Sequence, residues 1–261
     1  MGILNVTPDS FSDGGCFDRL ETAVAQARRM VEEGAAIIDV GGESTRPGSD
    51  PVSEDEELRR VLPVIEALRR QGLPALISVD TMKAEVARRA LDAGAALVND
   101  QSALRYDPAM AGLVAQRGCA VCLMHMQGEP KTMQDDPRYV DVVAEVAAFL
   151  HERLAHAVDS GIRSEQVLID PGIGFGKTVE HNLTLLRHLD ELVSLGRPVV
   201  LGASRKRFLG ALFGVEPEER AVATAATTAL GALAGVAVFR VHDVLPNVQA
   251  LRVARAVGEA G

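Results

Sequence analysis

Polar side chains directly follow short apolar runs at several places in this sequence. The segment VLIDPGIGFGK, residues 167–177, places Asp170 after such a run and before Gly172, Gly174 and Gly176. A carboxylate in this position can accept paired N–H bonds from a ligand, and the glycines allow the positive φ angles of a tight loop. An isolated DPG segment favours a capped turn over a binding site. Whether Asp170 belongs to a binding site therefore depends on whether the same arrangement, a polar residue after an apolar run, occurs elsewhere in the chain.

The pattern recurs along the whole chain. The segments that lead from each predicted helix into the next strand are short and carry few functional side chains. Examples are EEGAA, DAGAA, QRGCA and SLGRP. If polar residues merely began loops, they would be equally common before and after the predicted strands. They are concentrated after the strands, which indicates an active-site face at that end. The residues that follow the apolar runs are Asn5, Glu43, Asp80, Asn99, His125, Asp170, Ser204, Lys206 and His242.

These residues divide into two groups by charge. Asp80, Asn99 and Asp170 suit a flat heterocycle that bears amino and oxo groups, because carboxylates accept N–H bonds and an amide both donates and accepts. The other group suits a phosphate ester, and we expect Lys206 to be the inward-facing member of the SRKR segment. This second group consists of Arg46, Ser204, Arg205, Lys206, Arg240 and His242.

The elements that must position these groups alternate between short apolar runs and longer amphipathic segments. This alternation occurs eight times, which fits a (β/α)₈ TIM barrel better than an open doubly wound sheet. We predict one domain that spans residues 1–261. Among the helices we expect continuous segments over 19–33 and 180–195, and a helical region that ends near 235. The predicted strands are 2–6, 37–40, 76–79, 96–98, 120–124, 167–169, 199–202 and 238–241.

Composition limits the possible partners. The sequence is 47% hydrophobic and 24% charged, with a formal net charge of −9, which argues against a general nucleic-acid or anionic-membrane surface. It has no apolar run of membrane-spanning length and begins without the pattern of a secretory signal. We therefore expect a cytoplasmic protein whose ligands are small molecules.

Seven motifs in order give the sequence a specific resemblance. NVTPDSFSDGG, GGESTRPG, SVDT, VND, DPGIGFGK, GASRK and RVHD span the chain and resemble the dihydropteroate synthases of folate biosynthesis. The resemblance implies condensation of 6-hydroxymethyl-7,8-dihydropterin pyrophosphate with p-aminobenzoate, which yields 7,8-dihydropteroate and pyrophosphate. It also implies Mg²⁺, a homodimer and inhibition by sulfonamides.

The resemblance further implies roles for individual residues. A pterin pocket is expected at Asp80, Asn99, Asp170 and Lys206, lined by Gly202 and Phe175. Asn5 matches the Mg²⁺ ligand, and Thr45, Arg46, Arg240 and His242 match contacts to pyrophosphate. Ser204, Phe11 and Pro47 match positions around p-aminobenzoate. The residues expected to contribute most to catalysis are Lys206, Asp80, Arg240 and His242.

The sequence also departs from the family pattern. Gln101, Ser102 and Ala103 follow VND where members usually have a segment like VSG, and we expect none of the three to touch a ligand-binding residue. The first strand begins at once, where members usually have a preceding segment.

A pterin-binding methyltransferase-type domain and a non-catalytic pterin-binding module are the alternatives, although neither requires the anion-binding residues.

The helical segment 221–235, AVATAATTALGALAG, is apolar or small nearly all round. This composition predicts a homodimer contact.

Overall fold

The computed structural model describes residues 1–6, 16–44, 51–128 and 131–260, with side chains in the first helix described from residue 20 onward. Four residues with predicted ligand contacts, Phe11, Thr45, Arg46 and Pro47, lie outside the described residues.

Within the described residues, eight short parallel strands form the centre of the molecule. The first six pair in chain order, and the last two pair with each other. The strands are β1 (Gly2–Asn5), β2 (Ile37–Gly41), β3 (Leu76–Asp80), β4 (Leu97–Asp100), β5 (Ala120–Met124), β6 (Val167–Asp170), β7 (Val200–Leu201) and β8 (Val238–Phe239).

Two parallel bridges join these groups of strands into a closed barrel. Ile169 of β6 pairs with Val199 before β7, and Gly2 of β1 pairs with Val241 after β8. At the second of these junctions the amide of Ile3 donates to the carbonyl of Val241 at 2.9 Å. The neighbours therefore run from β1 through β8 and back to β1, which confirms the predicted (β/α)₈ barrel.

Helices follow the strands and cover the outside of the barrel. Among the described residues they are α1 (Cys16–Glu32), α2 (Glu54–Arg70), α3 (Ala84–Asp92), α4 (Ala109–Arg117), α5 (Val142–Asp159), α6 (Val179–Arg187), α7 (Leu189–Val193), α8 (Arg207–Phe213), α9 (Ala221–Leu233) and α10 (Val244–Gly258). Within this described part of the chain no helix is long and apolar enough to cross a membrane.

Some predicted helices have different bounds in the structure. The segment 180–195 is interrupted at His188, whose φ of −114° and ψ of 34° are not helical, so α6 and α7 are separate. The region that ends near 235 divides into α8 and α9, because α8 stops at Gly214 with a φ of +67°. The first helix begins at Cys16, earlier than the predicted residue 19.

The strands are apolar because both of their faces are covered. Ile38, Val79, Val121 and Ile169 are almost completely buried between the barrel interior and the helices. Towards the carboxyl ends of the strands the buried residues become polar. This change along the barrel axis places the functional groups at one end of the barrel.

Candidate active site

Three of the predicted ring-binding residues lie at the carboxyl ends of their strands. Asp80 at the end of β3 pairs in register with Asn99 of β4, so their backbones are neighbours. Asp170 ends β6 beside Met124 of β5. All three polar side chains are less than 10% exposed. The barrel therefore brings together the groups that the sequence predicted to lie on one face.

Arg240 lies between two buried carboxylates. Its Nε is 2.6 Å from Oδ2 of Asp39, and its Nη2 is 2.6 Å from Oδ2 of Asp80. The Asn99 amide also donates to Oδ2 of Asp39, at 3.1 Å. The division into a ring-binding and an anion-binding group is therefore incomplete, because Arg240 was assigned to the second group and contacts the first.

Asp39 was missed in the sequence because it lies inside the apolar strand β2 and not at its end. The side chain is fully buried, and its second oxygen, Oδ1, has no hydrogen-bond partner among the described residues. A charged residue within an otherwise apolar barrel strand was the available signal, because such residues are rarely buried unless they are paired. Its partner, Arg240, follows β8 at the far end of the sequence.

Burial and charge shift the pKa values in this network. Burial raises the pKa of Asp80 to about 7, with the Arg240 guanidinium opposing the shift and the Asp39 carboxylate adding to it. Burial alone would lower the pKa of Arg240, but Asp39 and Asp80 outweigh it and raise that pKa. Arg240 therefore stays charged and favours the ionised form of Asp80.

Gln101 contradicts the expectation that residues 101–103 touch no ligand-binding group. Its Nε2 lies 2.8 Å from Oδ1 and 3.0 Å from Oδ2 of Asp80, and the side chain is buried. Successive side chains of a strand point to opposite faces, so Gln101 continues the inward direction of Asn99 two residues earlier. This alternation was the signal that would have placed Gln101 in the site.

Lys206 faces inward, as predicted. Its ammonium donates to the carbonyl of Ile173 and lies 4.2 Å from the ring centroid of Phe175. Arg205 instead pairs with Asp243 at 2.6 Å, and Arg207 is exposed. Burial lowers the pKa of Lys206 to about 7, partly offset by the Asp170 carboxylate.

Gly202 provides space beside these groups. A Cβ at this position would lie 3.7 Å from Oδ2 of Asp170 and 4.0 Å from Nζ of Lys206. A larger side chain would occupy the space between the carboxylate and the ammonium. Gly202 therefore lines the predicted pocket through its backbone.

Lys177 holds the glycine-rich loop that follows β6. Its ammonium donates to the carbonyls of Gly172 and Phe175, both at 3.0 Å, and lies 2.9 Å from Nδ1 of His125. Burial lowers the pKa of Lys177 well below its usual value. Lys177 was not among the predicted site residues, although it closes the DPGIGFGK motif.

Ser204 and His242 meet on the other side of the barrel mouth. The Ser204 hydroxyl lies 2.9 Å from Nδ1 of His242 and accepts the backbone N–H of His242 at 3.1 Å. This contact joins the loops after β7 and β8. It brings together two residues predicted to bind different substrates.

The predicted metal ligand Asn5 lies at the end of β1. Its Oδ1 and Oδ2 of Asp80 are each 3.6 Å from the point where a Cβ on Gly41 would stand. These distances place the amide oxygen of Asn5 in the same space as the Asp80 carboxylate. Asn5 itself is half-buried.

The similarity to known proteins extends over all the barrel strands described above. The model of the family described as pterin binding enzyme matches residues 1–242. The dihydropteroate synthase of Escherichia coli K12 is 49% identical over 256 residues, which cover 98% of this chain and 90% of that protein. The chain belongs to the dihydropteroate synthase family. It is accordingly an enzyme, a transferase, and not a non-catalytic pterin-binding module.

Solved dihydropteroate synthase structures agree in fold. The Yersinia pestis enzyme in complex with a sulfonamide drug has a TM-score of 0.94 and 46% identity, with 100% of this chain and 94% of that chain covered. The Xanthomonas albilineans dihydropteroate synthase with 4-aminobenzoic acid has a TM-score of 0.93 and 51% identity, with coverages of 100% and 93%. The same family therefore accounts for both the sequence and the barrel.

Proposed function

We propose that this chain condenses 6-hydroxymethyl-7,8-dihydropterin pyrophosphate with p-aminobenzoate to give 7,8-dihydropteroate and pyrophosphate. The observation that supports this most directly is the convergence of buried hydrogen-bonding groups at one end of the barrel. Asp80, Asn99 and Asp170 supply the polar edge, and the Lys206 ammonium lies beside Asp170. A dihydropteroate synthase of Xanthomonas albilineans has been solved in complex with 7,8-dihydropteroate, the expected product.

The pterin ring is expected to bind between the carboxylates and Lys206. Carboxylate oxygens accept the ring N–H groups, and the Asn99 amide can both donate and accept. Phe175, which already lies against the Lys206 ammonium, supplies an apolar wall for the flat ring. Lys206, beside Asp170, is a further donor to the same ring.

The reaction breaks the bond between the pterin methylene carbon and the pyrophosphate oxygen. The electron pair leaves with pyrophosphate, and the electron-rich ring spreads the positive charge that develops on carbon. The amine of p-aminobenzoate then bonds to that carbon and loses one proton. Because the leaving group is a stable anion, the step needs electrostatic stabilisation more than a strong base.

His242, which is held by the Ser204 hydroxyl, is the proposed contact to the leaving group. The two residues lie at the mouth of the barrel on the loops after β7 and β8, where phosphate groups frequently bind in this fold. Arg240 binds the two carboxylates and lies two residues before His242 in the chain, so we expect its charge to act on both the leaving group and the ring. Thr45 and Arg46 are proposed as further contacts.

Mg²⁺ is proposed as the cofactor, with Asn5 as its protein ligand. Within the described ranges no group of three acidic, histidine or cysteine side chains could hold a metal. A single amide oxygen nevertheless fits Mg²⁺, which commonly binds few protein groups and completes its shell with phosphate oxygens and water. When bound, the ion would neutralise charge on the pyrophosphate.

Release of pyrophosphate tests the proposed reaction. We expect release that requires both the pterin ester and p-aminobenzoate and that yields dihydropteroate in equal amount. Pyrophosphate release without incorporation of the arylamine would contradict the condensation.

We also propose ordered binding, with Ser204, Phe11 and Pro47 around p-aminobenzoate. Substantial binding of p-aminobenzoate in the absence of pyrophosphate or pterin ester would refute that order.

A cytoplasmic homodimer of one barrel domain completes the proposal. Helix α9 turns Thr224, Thr227, Thr228 and Gly231 inward and leaves Val222, Leu230 and Leu233 exposed. Such an apolar face favours contact with a second copy. Light scattering at micromolar concentration should give the mass of two chains. Replacing Leu230 and Leu233 with lysine should give monomers, whereas Leu76→Lys, at the similarly exposed first residue of β3, should not.

A further inference from the structure

The Gln101 carboxamide faces the Asp80 carboxylate where β4 and β3 end. Nε2 of Gln101 is 2.8 Å from Oδ1 and 3.0 Å from Oδ2, and both side chains are less than 10% exposed. A carboxamide nitrogen has two hydrogens, so it can approach both carboxylate oxygens. The contact excludes water from this side of Asp80.

The backbone around Gln101 is held from several directions. The Asp100 carboxylate accepts the amide of Leu104 at 2.9 Å, and Arg153 donates to the carbonyl of Ala103 at 2.8 Å. Ala103 and Leu104 have φ angles of +54° and +63°, in the left-handed region. Non-glycine residues keep this conformation only where their surroundings enforce it. Gln101 is therefore presented to Asp80 by a rigid turn.

The two oxygens of Asp80 have different surroundings. Oδ2 accepts from Nη2 of Arg240 at 2.6 Å and from Gln101, whereas in the described part of the chain Oδ1 accepts from Gln101 alone. A carboxylate oxygen has two lone pairs, so Oδ1 keeps capacity for a further donor. The torsion that rotates a carboxylate has a broad minimum. Arg240, which binds one oxygen only, does not fix that rotation by itself.

We propose that Gln101 is a positioning residue that fixes the rotation of the Asp80 carboxylate, so that Oδ1 faces the ring N–H of the pterin. This role deepens the proposed function and depends on it. Gln101 acts through Asp80 and has no assigned contact with the reacting atoms. The residue thus determines how well the ring binds, not how fast the bond to pyrophosphate breaks.

Replacing Gln101 with methionine tests the role, because methionine has similar length and no N–H donors. We expect the Kd for 6-hydroxymethyl-7,8-dihydropterin to rise about tenfold, as for the loss of a hydrogen bond to a charged group. The KM for the pterin ester should rise similarly, whereas the KM for p-aminobenzoate and kcat should change less than about twofold. Calorimetry gives the first quantity and steady-state kinetics the others.

Gln166 provides the matched control. It is also a buried glutamine, and its Nε2 donates to the carbonyl of Cys119 at 2.6 Å, before β5 and far from the strand ends that form the site. Gln166→Met removes a buried hydrogen bond of the same kind and should leave the Kd for the pterin ring unchanged. A general loss of stability would affect both variants, but only the Gln101 variant should lose ring affinity.

Gln101→Asn is a second test in case the methionine variant does not fold. It keeps the carboxamide but withdraws it by one methylene group, so the contact with Asp80 is lost without burying an apolar chain. Ring affinity equal to that of the unmodified protein in either folded variant would overturn the proposal, as would equal increases in both KM values. Failure of the unmodified protein to release pyrophosphate would instead refute the proposed function.

Discussion

Nδ1 of His125 lies 2.9 Å from the ammonium nitrogen of Lys177 in a buried contact. Lys177 also donates to the carbonyls of Gly172 and Phe175, so this contact ties the imidazole to the glycine-rich loop. Burial lowers the pKa of His125 to about 2, with the Lys177 and Arg105 charges adding to the shift. The folded protein therefore keeps His125 neutral at pH values where an unfolded histidine is charged.

This neutral histidine predicts acid sensitivity. Between pH 6.5 and about 2 the unfolded chain binds a proton at His125 that the folded protein does not bind. The contribution of His125 to the free energy of unfolding should therefore fall by about 1.4 kcal/mol for each pH unit in this range, while the raised pKa of Asp80 contributes in the opposite direction. His125→Gln keeps an acceptor for Lys177 and removes this dependence. Urea unfolding of both proteins at several pH values should give curves that converge towards acid, and parallel curves would contradict the prediction.

Arg240 should be necessary for stability as well as for substrate binding. Arg240→Met leaves the Asp39 and Asp80 carboxylates buried without their shared counterion. We expect the free energy of unfolding to fall by about 3 kcal/mol. Arg88→Met is the control, because Arg88 also contacts two carboxylates but lies on the exposed surface, so little change is expected. Equal effects of the two substitutions in urea unfolding would contradict this role.

Gly172 should tolerate a methyl group far less well than Gly72. The two glycines have φ angles of +65° and +64°, so alanine is strained at both. At Gly172, however, an added Cβ would overlap the carbonyl oxygen of His125, whereas at Gly72 no atom lies within 4 Å. Gly72→Ala should cost about 1 kcal/mol and Gly172→Ala several times more. Thermal unfolding of the two variants measures the difference in stability. Equal losses would contradict the prediction, because they would mean that only the positive φ angle matters and not the clash with His125.

Lys206 should contribute directly to pterin binding. Lys206→Met removes the ammonium that lies over Phe175 and beside Asp170, and leaves most of the apolar length of the side chain. Affinity for 6-hydroxymethyl-7,8-dihydropterin should fall at least about tenfold, since a charged hydrogen bond is lost. The exposed neighbour Arg207 is the control, and Arg207→Met should leave the Kd nearly unchanged. Calorimetric titration of both variants decides the assignment.

The sequence predicted those parts of the site that depend on strand ends. Because parallel strands end at the same edge of a barrel, Asp80, Asn99 and Asp170 could be placed together from their positions after apolar runs. The inward direction of Lys206 was predicted in the same way. These predictions required only the order of the elements.

Contacts that depend on geometry across the barrel were not predicted. Asp39 lies within an apolar strand, and its partner Arg240 is separated from it by 201 positions in the sequence. Gln101 follows a strand end and was expected to touch no ligand-binding residue, whereas its side chain still follows the alternation of β4 and contacts Asp80. Periodicity describes one element at a time, so it does not reveal which side chains meet between elements.

Charge balance in the Arg240 network has an evolutionary consequence. Two carboxylates share one guanidinium, and the Gln101 and Asn99 amides each donate to one of those carboxylates. A change at one member alters the charge or the donors that its neighbours require. Substitutions of the charged members, Asp39, Asp80 and Arg240, should therefore be inherited in compensating sets.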